Sequence, residues 1–261
     1  MYKIFNLNKF TKLIKIILCA FNEAKNIQKL IPSIIHEFEL MQREFEIIFC
    51  LDCSTDNSVE IIEIFKNKCS ITILPIENQR GLGLAYKKAF LHVIFNANPE
   101  DLIISFDADC THNPSQLKDM IKVFEEKKLD FMVASRFVHS SSIAHFPKYR
   151  KFISLLISLF LQTIFPIKNS QNKIKDYTSG YRIYKNNILQ KLYKKLTTKF
   201  ITENDFTCLI EILIKLNQQK LLNNFAEYPI VYEYGEKIGA SKLRLSRNFY
   251  RLIILLIKLL K

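Results

Sequence analysis

Apolar residues along this chain fall into two alternating rhythms. Short apolar runs at residues 13–20 (LIKIILCA), 45–51 (FEIIFCL), 70–75, 102–106 and 130–135 each end in turn chemistry, which predicts buried β-strands. Between the early strands the apolar positions recur at a helical period, as at Ile27, Leu30, Ile31, Ile34, Ile35 and Phe38. Asn22 is the expected N-cap of that first helix, and Asp56 to Ser58 can cap a second helix carrying Val59, Ile62 and Phe65. The loop NQRGLGLAY enters a third helix, and Pro114 suits the first turn of a fourth. Strands alternating with helices predict an α/β fold with a doubly wound, mostly parallel sheet. Ligands of such sheets bind outside the carboxyl ends of the strands.

The strand ends carry the candidate chemistry. Residues 102–106 run into Asp107, Asp109 and Thr111 at alternating positions, and residues 45–51 run into Asp52. Two carboxylates as close as Asp107 and Asp109 repel each other unless a cation lies between them. Oxygen-only ligands suit a hard divalent ion, Mg²⁺ or Mn²⁺, usually shared with substrate phosphates. In isolation such a pair is more often an acidic turn that caps a helix; the third aspartate on the same edge favours the site. The glycines of GLGLAY lack the third member and the strand-one context of a dinucleotide-binding loop, which argues against a Rossmann dehydrogenase. Arg136, Arg182 and Lys242 each stand in a polar loop. Singly they read as solvated charges; together, opposite an acidic metal site, they could hold a second phosphate.

Composition narrows the partners. The formal net charge of +13 over 261 residues favours an anionic partner such as phosphates or a membrane surface, and no nucleic-acid-binding module is recognisable. The six cysteines have no framework spacing and read as reduced thiols. Lys15 interrupts the first apolar run and no cleavage site precedes FNEA, so the basic N-terminus is not read as a signal peptide. Two apolar segments stop short of a membrane span. Residues 152–165 (FISLLISLFLQTIF) carry a polar stripe of Ser154, Ser158 and Gln162, and as a helix would reach roughly 21 Å. A hydrocarbon core is about 30 Å thick. Residues 246–261 (SRNFYRLIILLIKLLK) read as a basic amphipathic helix, expected to lie in a membrane interface beside a catalytic domain of residues 1–245.

The segments AFNEAKNI, LDCSTDNS, RGLGLAYKKAF, SFDADCTHNP, SRF, DYTSGYR, EYPI and GASKL occur in this order over residues 14–245. The series resembles family-2 glycosyltransferases of the GT-A fold, and most of all the dolichol- or polyprenyl-phosphate mannose synthase branch. The resemblance implies a metal-dependent inverting transfer of a hexose from a nucleotide sugar, GDP-mannose or a UDP-hexose, to a polyprenyl or dolichyl phosphate. With that acceptor, the two short apolar segments predict a peripheral position on the cytoplasmic face of a membrane. Carried over position by position, Phe21, Asn22, Glu23, Asp52 and Gly81 would seat the donor, and Asp107 and Asp109 the metal. Arg136, Arg150, Ser179, Arg182 and Lys242 would bind phosphate, and Glu211 would line the sugar pocket. Leu51 and Cys53 stand where the family commonly has an aspartate and a glycine, and Leu155 follows Ser154 where it commonly has an arginine. Arg150 is the candidate substitute. A UDP-glucose or UDP-N-acetylglucosamine donor, a glycan acceptor, and a non-catalytic sugar-nucleotide binder remain as alternatives.

Overall fold

The structure, a computed structural model, describes residues 12–145, 147–236 and 245–260. Five strands form where the apolar runs lie: β1 (Ile14–Ala20), β2 (Phe45–Asp52), β3 (Ser70–Ile76), β4 (Leu102–Asp107) and β5 (Phe131–Ser135). Helices α1 (Ala24–Met41), α2 (Ser58–Phe65), α3 (Leu82–Asn96) and α4 (Leu117–Glu126) connect them. Then follow β6 (Ser142–Ala144), α5 (Lys148–Ile164), β7 (Arg182–Lys185), α6 (Asn186–Leu196), α7 (Thr207–Gln218), β8 (Phe225–Pro229), β9 (Val231–Glu233) and α8 (Leu245–Leu260).

The main sheet has seven strands in the order β3-β2-β1-β4-β7-β5-β8, and β6 pairs with β9 apart from it. β1, β2, β3 and β4 are parallel neighbours, as are β5 and β8, while β7 runs antiparallel to both β4 and β5. The sheet is therefore mixed. Sequence order reverses between β1 and β4, which makes their carboxyl ends the switch point where ligands of such sheets bind.

Apolar side chains fill both faces of the sheet. One face packs under α1 and α4 through Ile27, Leu30, Ile34, Met120 and Phe124. The other packs under α3, α6 and α7 through Ala85, Phe90, Leu189, Ile212 and Leu213. Leu252, Leu255 and Leu256 of α8 belong to this second core, so the C-terminal helix docks on the body of the protein. Lys15, which breaks the first apolar run, is buried on β1 and paired with Glu46 of the neighbouring β2. Burial alone would raise the Glu46 carboxyl; its bonds to Lys15 and Thr72 outweigh that and lower it.

Asn22 does not cap α1. Its backbone is left-handed (φ 51°), the helix starts after Glu23, and the cap comes from elsewhere: the Asp56 carboxylate accepts from Ala24 N at 3.0 Å. The polar stripe of α5 also turns out to face the protein. Ser158 is buried and accepts from Tyr177 N, and Gln162 donates to the Lys175 carbonyl. Phe152, Leu156, Leu159 and Phe160 are left on the outside. Among the described residues, no helix is long and apolar enough to cross a membrane.

Candidate active site

The ends of β1 and β2 are knitted into one wall. Asn22 Oδ1 accepts from Thr55 N at 2.8 Å, and Asn22 N donates to Ser54 Oγ at 3.1 Å. Asp56 serves two helix N-termini, accepting from Ala24 N with one oxygen and from Ser58 N with the other, where the helix dipoles favour a negative charge. Glu23 is nearly buried and bonded by Asn26. Asp52 accepts from Gly81 N at 2.7 Å, joining this wall to the first turn of α3. The Arg80 guanidinium lies over the Phe21 ring, 3.4 Å from its centroid, a cation–π contact. Cys53 adopts the left-handed backbone (φ 56°) for which a glycine is the easier residue, and Leu51 is a core side chain.

The second wall rises from β4. Asp107 ends the strand with its side chain 34% exposed. The turn behind it orders the next carboxylate: Thr111, itself buried, donates both its hydroxyl (2.6 Å) and its N–H (3.2 Å) to Asp109 Oδ1. His112 Nδ1 accepts from Asp107 N at 3.2 Å, and its ring sits among Phe106, Tyr181 and Tyr232. The imidazole thus supports the turn from beneath. Gly180 borders Asp107 closely: a Cβ there would lie 3.5 Å from Asp107 Oδ1 and 3.3 Å from Leu209. Tyr232, for which the sequence offers no signal, lies beside both aspartates. Burial, and then the charges of Asp107 and Asp109, push its hydroxyl pKa well up.

The basic groups of the second half are turned inward. Arg136 donates Nε and Nη2 to the two oxygens of the buried Asp176, both at 2.8 Å, and Nη2 also to Thr178. Burial would lower the guanidinium and raise the carboxyl, but their mutual attraction outweighs it in both groups, so Arg136 is raised and Asp176 lowered. The Asp107 carboxylate adds to the field that keeps Arg136 charged. Asp176 also accepts from the N–H groups of Thr178 and Ser179 and so fixes the loop that brings Gly180 to Asp107.

Arg182 departs furthest from expectation. It stands in the middle of the sheet, fully buried, and its guanidinium donates to the carbonyls of Tyr177, Ser179 and Leu209 and to the Tyr184 hydroxyl. No surface of it is left for a phosphate; it holds the 177–182 loop from inside. Ser179 is nearly buried in the same loop. Glu211 is neither an exposed helix residue nor open to a pocket. It is fully buried and accepts from Thr202 N, Thr202 Oγ1 and Glu203 N, with Lys215 as its counter-ion. Arg150 lies in the first turn of α5, donating to the hydroxyls of Tyr149 and Tyr234. Lys242 lies outside the described residues.

The donor set at Asp107 and Asp109 fits a hard cation. Among the described residues no group of three metal-ligating side chains gathers, so a two-carboxylate site would be completed by substrate oxygens. Mg²⁺ bound through one or two carboxylates with substrate phosphates has that composition.

Residues 15–193 match glycosyl transferase family 2. The chain is 24% identical over 246 residues to a dolichol-phosphate mannosyltransferase of Pyrococcus furiosus, covering 92% of this chain and 63% of that protein. It is 26% identical over 187 residues to an undecaprenyl-phosphate 4-deoxy-4-formamido-L-arabinose transferase of Yersinia pestis, covering 72% of this chain and 53% of that one. It thus spans less than two thirds of either relative. Among solved structures it resembles glucosyl-3-phosphoglycerate synthase from Mycobacterium tuberculosis (TM-score 0.64, 13% identity, 95% of this chain and 79% of that one). It also resembles S. aureus TarS (TM-score 0.59, 20% identity, 84% and 59%). These neighbours share its GT-A fold, and with the match extending over more than half of its length the chain belongs to glycosyl transferase family 2.

Proposed function

We propose that the protein transfers a hexose from a nucleotide sugar to a polyprenyl or dolichyl phosphate at a membrane surface, with inversion at the anomeric carbon. The observation that carries the reading is the pair Asp107 and Asp109 at the β1/β4 switch point, facing the wall tied together by Asn22, Asp52 and Gly81. The names of both enzyme relatives specify a lipid phosphate, and the solved neighbour from Mycobacterium tuberculosis was crystallised with Mn²⁺ and UDP-glucose.

In this reading Phe21, Asn22, Glu23, Asp52 and Gly81 seat the donor nucleotide, and Arg80 joins that wall. Asp107 and Asp109 hold Mg²⁺ or Mn²⁺, whose charge offsets that of the departing diphosphate. A phosphate oxygen of the acceptor attacks the anomeric carbon as the bond to the nucleoside diphosphate breaks. A phosphate monoester with a second pKa of about 6 is largely dianionic at neutral pH and needs no side-chain base. His112, occupied beneath the turn, is not required as one. Arg136 adds positive potential beside Asp107, and Arg150, in the first turn of α5 just before the outward apolar face, is the candidate for the acceptor phosphate. That face and the net charge of +13 suit a peripheral position on the cytoplasmic leaflet, with the prenyl chain in the acyl boundary.

The test is turnover of the purified full chain with GDP-mannose, UDP-glucose and UDP-N-acetylglucosamine, Mg²⁺ or Mn²⁺, and a short polyprenyl phosphate. Sugar appearing in a lipid-extractable phosphodiester is the expected outcome. Transfer only to a glycan would overturn the acceptor, and nucleotide-sugar binding with no transfer to any acceptor would favour a non-catalytic binder.

A further inference from the structure

The C-terminal helix reaches the donor wall through a short relay of contacts. Lys258 donates to Glu203 Oε1 at 2.7 Å, and Arg251 Nε lies 3.1 Å from Asp205 Oδ2. Glu203 is only 6% exposed, so its carboxylate needs that counter-ion more than a surface group would. Asp205 in turn accepts from Thr207 N and Thr207 Oγ1 and starts α7. From the other side the buried Glu211 holds Thr202 N and Glu203 N. Residues 202–205 are thus clamped between α7 and α8.

The backbone of this clamped segment is what α3 begins against. A Cβ on Gly83 would lie 2.0 Å from the Glu203 carbonyl oxygen, and one on Gly81 would lie 2.6 Å from that of Asn204. Only glycine permits such an approach, which accounts for both glycines of the GLG motif. Gly81 N then donates to Asp52. Any shift of residues 203–204 is felt at Gly81, and through it at Asp52.

We propose that α8 acts as a strap on the donor wall, and that Arg251 and Lys258 are positioning residues that set Gly81 and Asp52 through residues 203–205. The strap is read from the contacts alone; its effect on catalysis rests on the reading of Gly81 and Asp52 as donor-binding groups. The apolar core side of α8 keeps the helix in place when the charges are removed, so the full chain can be tested as it is.

The test compares a Met pair, R251M with K258M, against a charge-conserving pair, R251K with K258R. Hydrogen exchange is followed at residues 81–84 and 200–206, with β5 as internal reference. In the Met pair, exchange at both segments rises severalfold while β5 stays unchanged. The donor KM rises roughly three- to tenfold, the scale expected for two partly exposed ion pairs, with kcat within about twofold. The conservative pair behaves as wild type. Unchanged exchange at residues 81–84 in the Met pair overturns the strap, whatever the kinetics do. So does a uniform rise that includes β5, which would make α8 only a core-packing helix. Faster exchange confined to the two segments with an unchanged donor KM upholds the strap and overturns the reading of this wall as the donor site.

Discussion

The two halves of the chain use charge in opposite ways. In the first half, up to Thr111, three aspartates stand at strand ends over the candidate site: Asp52 on β2, Asp107 and Asp109 behind β4. In the second half Asp176, Arg182 and Glu211 are fully buried and bind backbone, and α5 turns its polar stripe inward and its apolar side chains out. The difference is topological. The parallel strands of the first half deliver their carboxyl ends to the switch point with little help. The antiparallel β7 must enter the sheet between β4 and β5, and the irregular chain before it has no ladder of its own. Its carbonyls and N–H groups are satisfied by buried side chains, because buried backbone groups must find partners somewhere.

The sharpest test of that contrast is Arg182→Met. Methionine keeps much of the volume but leaves the carbonyls of Tyr177, Ser179 and Leu209 without their donor. At about 1–3 kcal/mol for each unsatisfied group, the loss is roughly 3–9 kcal/mol, a large part of a domain's stability. Urea unfolding would show it. A variant that unfolds at the wild-type midpoint yet fails to use the acceptor would return Arg182 to the phosphate site.

Next comes Asp109→Asn. The amide oxygen can still accept from Thr111, so the turn and the unfolding midpoint should be unchanged. Turnover should fall by about 10²–10³, the scale of removing one preorganised electrostatic group from a transition state. Near-normal turnover, or full activity in excess chelator, would make the pair a helix-capping turn after all.

The same contrast decides what could be read without coordinates. β1 to β5 were legible because each is a continuous apolar run ended by turn residues, and periodicity marks such runs. β7 was not: RIYK opens with an arginine and is preceded by polar residues, so it looks like part of a loop. The inward direction of the Ser154, Ser158, Gln162 stripe was likewise hidden. A helical period fixes which residues share a face, not which face meets the protein. Asp107 and Asp109 could be found from spacing, whereas Asp176 and Tyr232 join the site only through contacts between segments 40 or more residues away. Asp176, for one, meets Arg136 across 40 positions of chain.

The outward face of α5 gives a third, smaller effect. Replacing Phe152 and Phe160, 60% and 51% exposed, by Gln removes apolar surface that the fold does not use. Stability should hold within about 0.5 kcal/mol, as for other surface changes. Flotation with anionic liposomes should drop severalfold. Removing residues 247–261 is the poorer experiment, because it also strips Leu252, Leu255 and Leu256 from the core. Undiminished flotation of the double variant would shift the membrane contact to the outer face of α8, where Tyr250, Ile253 and Ile257 are exposed.

The smallest effect is expected at Glu227 on β8, which completes the inward-facing cluster. Its Oε1 accepts from Lys175 N and Asp176 N, both at 2.8 Å, while Oε2 is buried with no hydrogen-bond partner among the described residues. Burial raises its carboxyl, the two N–H groups oppose this, and the nearby Asp176 charge adds to the rise. A carboxyl that holds its proton more tightly when folded stabilises the fold below its unfolded pKa, about 4.3. That contribution is lost as pH climbs from there through the raised folded value. Asp176 runs the other way: its lowered carboxyl contributes stability above about 3.9 that is lost as pH falls through the folded value. Glu227→Gln keeps the acceptor for both N–H groups and removes the charge, so it resembles the protonated state at every pH. It should stabilise the protein by about 1 kcal/mol at pH 7 and by nearly nothing at pH 4. Urea midpoints at the two pH values measure the difference. A variant less stable than wild type at pH 7 would mean that the cluster needs the second negative charge, and that Arg136 is balanced by Glu227 as well as by Asp176.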